Sequence, residues 1–180
     1  MAIYLNSEDI KISAPSLVAG DRVLLSGTVY TARDAAHKRL IELIEQGRDL
    51  PFDLNGACIY YTGPTPTPPG RAIGSCGPTT SGRMDSLTVP LLEKGLAGMI
   101  GKGERSPLVI EAIKKFQAVY FCALGGAGAL AAECVTACEE VAFEDLGCES
   151  IKRLRFENFP LIVGVDSKGG NIYDRKSRAN

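Results

Sequence analysis

The segment Leu24–Gly47, LLSGTVYTARDAAHKRLIELIEQG, changes its hydrophobic period once, and that change sets the fold class. Leu24 to Tyr30 is rich in β-formers and predicts a strand. Beyond it, Ala35, Ala36, Leu40, Leu43 and Ile44 fall at helical spacing. Thr31 offers a cap, with Asp34 three residues on as a weak capping box, and the helix runs to about Gln46 before Gly47. The alternation repeats. Ala57–Tyr61 is continuously apolar and predicts a strand buried on both faces. A helix is expected from Ser81 to Lys94 with Leu87, Leu91 and Leu92 inward, then a short strand at Met99-Ile100. Ser106 caps a helix that Pro107 opens and that Ile110, Ile113 and Phe116 pack. Ala118–Leu124 is another strand, followed by Gly125-Gly126-Ala127-Gly128 and a small-residue helix. Val141–Phe143 reads as a short strand, and Leu161–Val165 with Ile172-Tyr173 as a closing hairpin. The reading is an α/β domain over residues 1–174, with a mixed, partly parallel central sheet, flanking helices and a frayed tail at 175–180.

Composition narrows the function. The 180 residues carry 20 Lys+Arg against 21 Asp+Glu, a net charge of −1. Nucleic acid rewards a basic surface that is absent, so no nucleic-acid partner is expected. No polybasic anchor and no apolar run of roughly 20 residues appears, so no membrane partner is expected. The N-terminus is a short apolar stretch running into acids, unlike a signal peptide, and the expected compartment is the cytoplasm. The six cysteines, Cys58, Cys76, Cys122, Cys134, Cys138 and Cys148, contain no Cys-x-x-Cys. With a single His they support no self-contained metal site and read as small buried hydrophobes.

Four places can carry chemistry. Arg33 stands in the first turn of a predicted helix, either sharing an anion with the helix dipole or pairing on the surface with Asp34. His37 follows on the same face, as an acid/base group or as a hydrogen-bonded packing residue. Residues 63–82 hold five prolines and five glycines, a long loop whose first half resembles an exposed linker. Its second half does not: Gly77, Thr79, Thr80 and Arg83 place free amides, hydroxyls and a guanidinium at one helix entrance, either an anion cradle or an ordinary cap. Lys102 sits between Gly101 and Gly103 at a strand end, where α/β sheets bind ligands, or in a solvated turn. Gly126–Ala131 imitates a dinucleotide fingerprint, with Glu144 and Asp145 near the ribose-contact spacing, although too little chain follows it for a second half-fold. If Arg33, Arg83 and Lys102 converge, they suit a small dicarboxylate.

Three of these motifs together resemble one family. Thr31-Ala32-Arg33-Asp34-Ala35-Ala36-His37, Gly77-Pro78-Thr79-Thr80 with Arg83-Met84-Asp85, and Ile100-Gly101-Lys102-Gly103 with Arg105 look like class I fumarases. They look more closely like the β subunit of two-subunit fumarases and L-tartrate dehydratases, equivalent to the C-terminal domain of the one-chain enzymes. Pro51–Leu54 and Val165–Gly169 match too, so the resemblance runs from about residue 5 to 174. It implies a swivelling β/β/α domain and a 4Fe–4S cluster held by three cysteines of a partner α subunit, in an α2β2 assembly. The open iron of that cluster acts as a Lewis acid on the substrate hydroxyl. By the motif match, Thr79 is the base for the C3 proton of malate. Arg33, Arg83 and Lys102 hold the carboxylates and stabilise the aci-carboxylate, and Gly77, Thr80 and His37 support them. The implied reaction is the reversible dehydration of malate to fumarate, with tartrate to oxaloacetate as the alternative. A non-catalytic anion- or dinucleotide-binding module is the rival from another class.

Overall fold

Alternating inward and outward side chains along short strands build two cores, one on each face of a single sheet. In the computed structural model, which describes residues 1–174, the elements are β1 (Ile3–Asn6), α1 (Ile10–Ser13), β2 (Arg22–Thr31), α2 (Asp34–Glu45), β3 (Cys58–Tyr60), α3 (Asp85–Glu93), β4 (Gly98–Gly101), α4 (Pro107–Phe116), β5 (Val119–Cys122), α5 (Gly128–Glu133), β6 (Val135–Ala142) and β7 (Ile151–Val165). The expected tail at 175–180 lies outside the described residues. The strand order is β1-β2-β3-β4-β5-β7-β6, and β1 to β5 are joined by parallel ladders. The central sheet is therefore mixed and mostly parallel, with α2, α3 and α4 connecting successive parallel strands.

The last strand does something the sequence reading did not anticipate. β7 pairs antiparallel with β5, β6 and β2, and its ladder to β2 closes β2-β3-β4-β5-β7 into a ring. Val29, Tyr60, Ile100, Phe121, Leu154, Phe156 and Val163 fill the inside of that ring. Ile59, Met99, Tyr120 and Val165 face the other way and pack with Leu40, Leu91, Leu92 and Ile113 of the helices. Cys58, Cys76 and Cys122 are buried as expected, whereas Cys134 and Cys138 are half-buried and Cys148 is exposed.

Residues 1–17, where no element was expected, form a strand and short helical turns, because β1 completes the edge of the sheet beside β2. Four expectations need correction. Thr31 does not cap α2. Its hydroxyl donates to Ser150 O at 3.2 Å and accepts from Lys152 N at 3.0 Å, and Glu149 Oε2 takes over the cap by accepting from Ala35 N at 3.0 Å. The strand expected at Val141–Phe143 starts earlier, at Val135, and Phe143 has already turned into the left-handed region at φ 60°. The closing hairpin is a tight return with one bridge, Val165 to Asn171, because Asp166 Oδ1 accepts from Lys168 N and Gly170 N and folds the turn on itself. The helix expected at Ser81 opens as a 3-10 turn, Ser81–Met84, before α3. No helix among the described residues is long and apolar enough to cross a membrane.

Candidate active site

The C-terminal ends of β2, β3 and β4 are adjacent because the strands are parallel and neighbours, so the loops leaving them meet at one edge of the sheet. Two of these loops knit together through their backbones. Thr79 N donates to Tyr61 O at 2.7 Å, Lys102 N donates to Thr79 O at 3.3 Å, and Ser81 N donates to Lys102 O at 2.9 Å. Thr80 and Lys102 thus continue the parallel pairing past β3 and β4. Thr79 is half-buried and Thr80 exposed. Neither the Thr79 hydroxyl nor the Lys102 ammonium makes a hydrogen bond or ion pair among the described residues.

The long loop behaves as two halves. Thr65 to Gly70 is exposed. The second half is pinned: Thr62 Oγ1 donates to Gly77 O at 2.8 Å, and Cys76 N donates to Gly128 O at 3.1 Å. Gly128 is where the apparent dinucleotide pattern finds its use. A Cβ there would stand 2.8 Å from Gly77 N, so only glycine lets α5 press against the threonine loop. α5 has six residues and is followed by β6, which pairs antiparallel to β7, so no parallel crossover follows the pattern. Asp145, the second candidate ribose contact, is engaged by Arg39, whose Nη1 donates to Oδ1 at 2.7 Å.

The two arginines share a carboxylate. Arg83 Nε donates to Asp34 Oδ1 at 3.1 Å, and Arg33 Nη2 lies 3.7 Å from Asp34 Oδ2 and 3.4 Å from Glu149 Oε1. Of the two readings of Arg33, the pairing with Asp34 is present, at the entrance to α2. Arg33 also reaches toward the threonine loop, since a Cβ on Gly63 would stand 3.0 Å from its Nη1. Sequence reasoning missed the bracketing role of Asp34 and all of Glu149, which arrives from a segment more than a hundred residues away. Two carboxylates therefore accompany the two arginines, so the field at this edge is weaker than the sequence suggests.

His37 lies beneath this edge and not in it. It is fully buried, with its ring edge-on to Tyr61 at 5.3 Å. Arg33 O accepts from His37 N at 2.8 Å and lies 2.9 Å from Nδ1, which assigns the proton to Nδ1. Nε2 has no partner among the described residues. Burial lowers its pKa to about 4, with the Arg33 carbonyl and Asp34 opposing and Arg105 adding to the shift. The sign follows directly. Above pH 6.5 His37 is neutral in both folded and unfolded chains; as pH falls toward 4, only the unfolded chain takes the proton. We expect wild type to lose roughly 3 kcal/mol more stability than His37→Asn between pH 7 and 4. Urea unfolding across that range measures the difference, and parallel curves would refute it.

The cysteines do not form a cluster site. Burial pushes the Cys58 thiol upward and Cys76 up to about 12, which disfavours the thiolate that a metal needs. Among the described residues no three His, Cys, Asp or Glu side chains are placed to hold a metal ion. The chain's own donors therefore do not fit an iron–sulfur cluster.

Residues 1–176 match the family described as Fumarase C-terminus. The anaerobic class I fumarate hydratase of Escherichia coli (strain K12) is 42% identical over 157 residues, covering 86% of this chain and 28% of that protein. The L(+)-tartrate dehydratase subunit beta of the same strain is 39% identical over 173 residues, covering 93% and 83%. A putative L(+)-tartrate dehydratase subunit beta of Methanocaldococcus jannaschii is 36% identical over 180 residues, covering 97% and 90%. The chain thus spans about 28% of the fumarate hydratases it matches and most of the tartrate dehydratase beta subunits.

Proposed function

The chain belongs to the Fumarase C-terminus family, and from that premise we propose that it is the β subunit of a class I hydro-lyase that dehydrates malate to fumarate reversibly. The domain, residues 1–174, acts as a single swivelling β/β/α unit in the cytoplasm. It closes over an α subunit, in an α2β2 assembly, that carries the 4Fe–4S cluster. The coverage of tartrate dehydratase beta subunits supports the two-subunit organisation.

The observation that carries the reading is the edge where Thr79 and Lys102 pair through their backbones beside the Asp34-linked arginines. Arg33 and Arg83 bind carboxylates, and Asp34 stands where a substrate carboxylate competes for the same guanidinium groups. Lys102, unpaired among the described residues, completes the charge. Thr79 Oγ, as the alkoxide that these cations stabilise, takes the C3 proton and becomes the neutral hydroxyl, while negative charge spreads onto the adjacent carboxylate, where the cations also stabilise it. Loss of that proton and of the C2 hydroxyl leaves the double bond. On this reading the acceptor of the hydroxyl belongs to the partner. Gly77, Thr80 and His37 hold the loops that present these groups. Tartrate is the alternative substrate, and it offers the same pair of carboxylates.

The test is the co-purified complex, assayed without oxygen. Dehydration of malate is the expected result. Turnover of tartrate alone would select the alternative substrate, and turnover of neither would end the reading.

A further inference from the structure

Directly beneath the candidate site lies a buried guanidinium that the proposed chemistry does not use. The Arg105 side chain is wholly excluded from solvent. Its Nε donates to Asp85 Oδ1 at 2.7 Å, its Nη2 to Thr88 Oγ1 at 2.9 Å and its Nη1 to Tyr61 OH at 3.3 Å. The guanidinium carbon stands 5.4 Å from the Tyr61 ring centre and 5.0 Å from that of Tyr120. These partners lead to three site loops. The Tyr61 carbonyl receives the Thr79 amide. The Tyr120 hydroxyl donates to Gly103 O at 2.8 Å, next to Lys102, and so accepts from Ser81 Oγ at 2.9 Å, two residues past Thr79. Asp85 closes the turn that carries Arg83, and its Oδ2 accepts from Ser106 N at 2.6 Å, tying that turn to the segment after Lys102.

We propose that Arg105 is a positioning residue for the reaction, one planar fork that holds the Thr79 loop, the Lys102 turn and the Arg83 turn in their working placement. It touches none of the reacting atoms. A fork is needed because its donors diverge toward Asp85, Thr88 and Tyr61 while the rings of Tyr61 and Tyr120 lie close to its carbon; a lysine keeps the charge and loses that geometry. The proposal rests on the hydro-lyase reading for its catalytic consequence, but the placement of the loops is measurable without it.

The experiment compares wild type with Arg105→Lys, each co-purified with the α partner, by steady-state kinetics and by hydrogen exchange at the Ser81 amide. Arg105→Lys should lower kcat by about 100-fold while changing KM far less, the signature of a misplaced reacting group. The Ser81 amide, which donates to Lys102 O, should exchange faster by about an order of magnitude, while amides of β2 keep wild-type rates. Tyr120→Phe removes one hydroxyl and keeps the ring, and it stands in if the lysine variant does not fold. It too should speed exchange at Ser81 and lower kcat. Wild-type kcat with wild-type Ser81 exchange in the variant tested would overturn the proposal. So would uniformly faster exchange in every strand with kcat following the folded fraction, because Arg105 would then serve stability alone. An inactive wild-type complex would instead end the hydro-lyase reading, and Ser81 exchange would still decide the role of Arg105.

Discussion

In the assembled enzyme, Thr79→Ala should lower kcat by about 1,000-fold and leave KM nearly unchanged. The Thr79 backbone, not its side chain, makes the bonds that hold the loop: the amide to Tyr61 and the carbonyl to Lys102. Alanine preserves both and deletes only the hydroxyl, which has no structural partner among the described residues to lose. On the proposed reading Arg33, Arg83 and Lys102 hold the carboxylates, so ground-state binding should survive. A proton acceptor acts in the transition state, and its loss falls on turnover. Thr79→Ser, which keeps the hydroxyl, should recover much of the rate. Steady-state kinetics on the three complexes provides the check, and an alanine variant with wild-type kcat would remove Thr79 as the base.

The isolated chain should show no measurable dehydration of malate or tartrate, and adding the α subunit without oxygen should restore it. The expected loss is at least about a million-fold, since it removes nearly the whole enzymatic acceleration. The reason lies in what this chain contains. It offers cations and a hydroxyl on a half-exposed edge, with water free to screen them. Burial keeps the Cys58 and Cys76 thiols neutral, and the cysteines converge on no metal site among the described residues. Half of an active site binds an anion weakly and has nowhere to send the leaving hydroxyl. Activity of the isolated chain within tenfold of the complex would refute the shared-site account.

Much of this was legible because it is written locally. The β2–α2 switch, β3, β4, α4 and β5 announce themselves through a change of period or an unbroken apolar run buried on both faces. Thr79 and Lys102 were found because prolines and glycines mark the loops that carry them. What escaped detection is non-local. Arg153, Arg155 and Glu157 break the apolar pattern of β7, because residues pointing out of the ring meet solvent while Leu154 and Phe156 point in. The four-residue β1 is too short for a periodicity, and it is a strand because β2 offers it an edge. Glu149 and Arg105 gain their meaning from partners far along the chain, so no window of sequence contains either interaction. Arg105 was visible as part of a motif, but its burial was not.

The strand that seals the ring is also the last long element of the chain. β2 and β5 therefore wait with open edges, on a growing or refolding chain, until residues 151–165 arrive between them. The β2 pairing joins residues more than a hundred positions apart, and such closures are slow. Until then the unsatisfied edges are templates for any other strand. A nascent chain cut short before Ile151 would keep the candidate site residues and lose the enclosure that aligns them. The enclosure around those residues is thus complete only once β7 has paired with both β2 and β5.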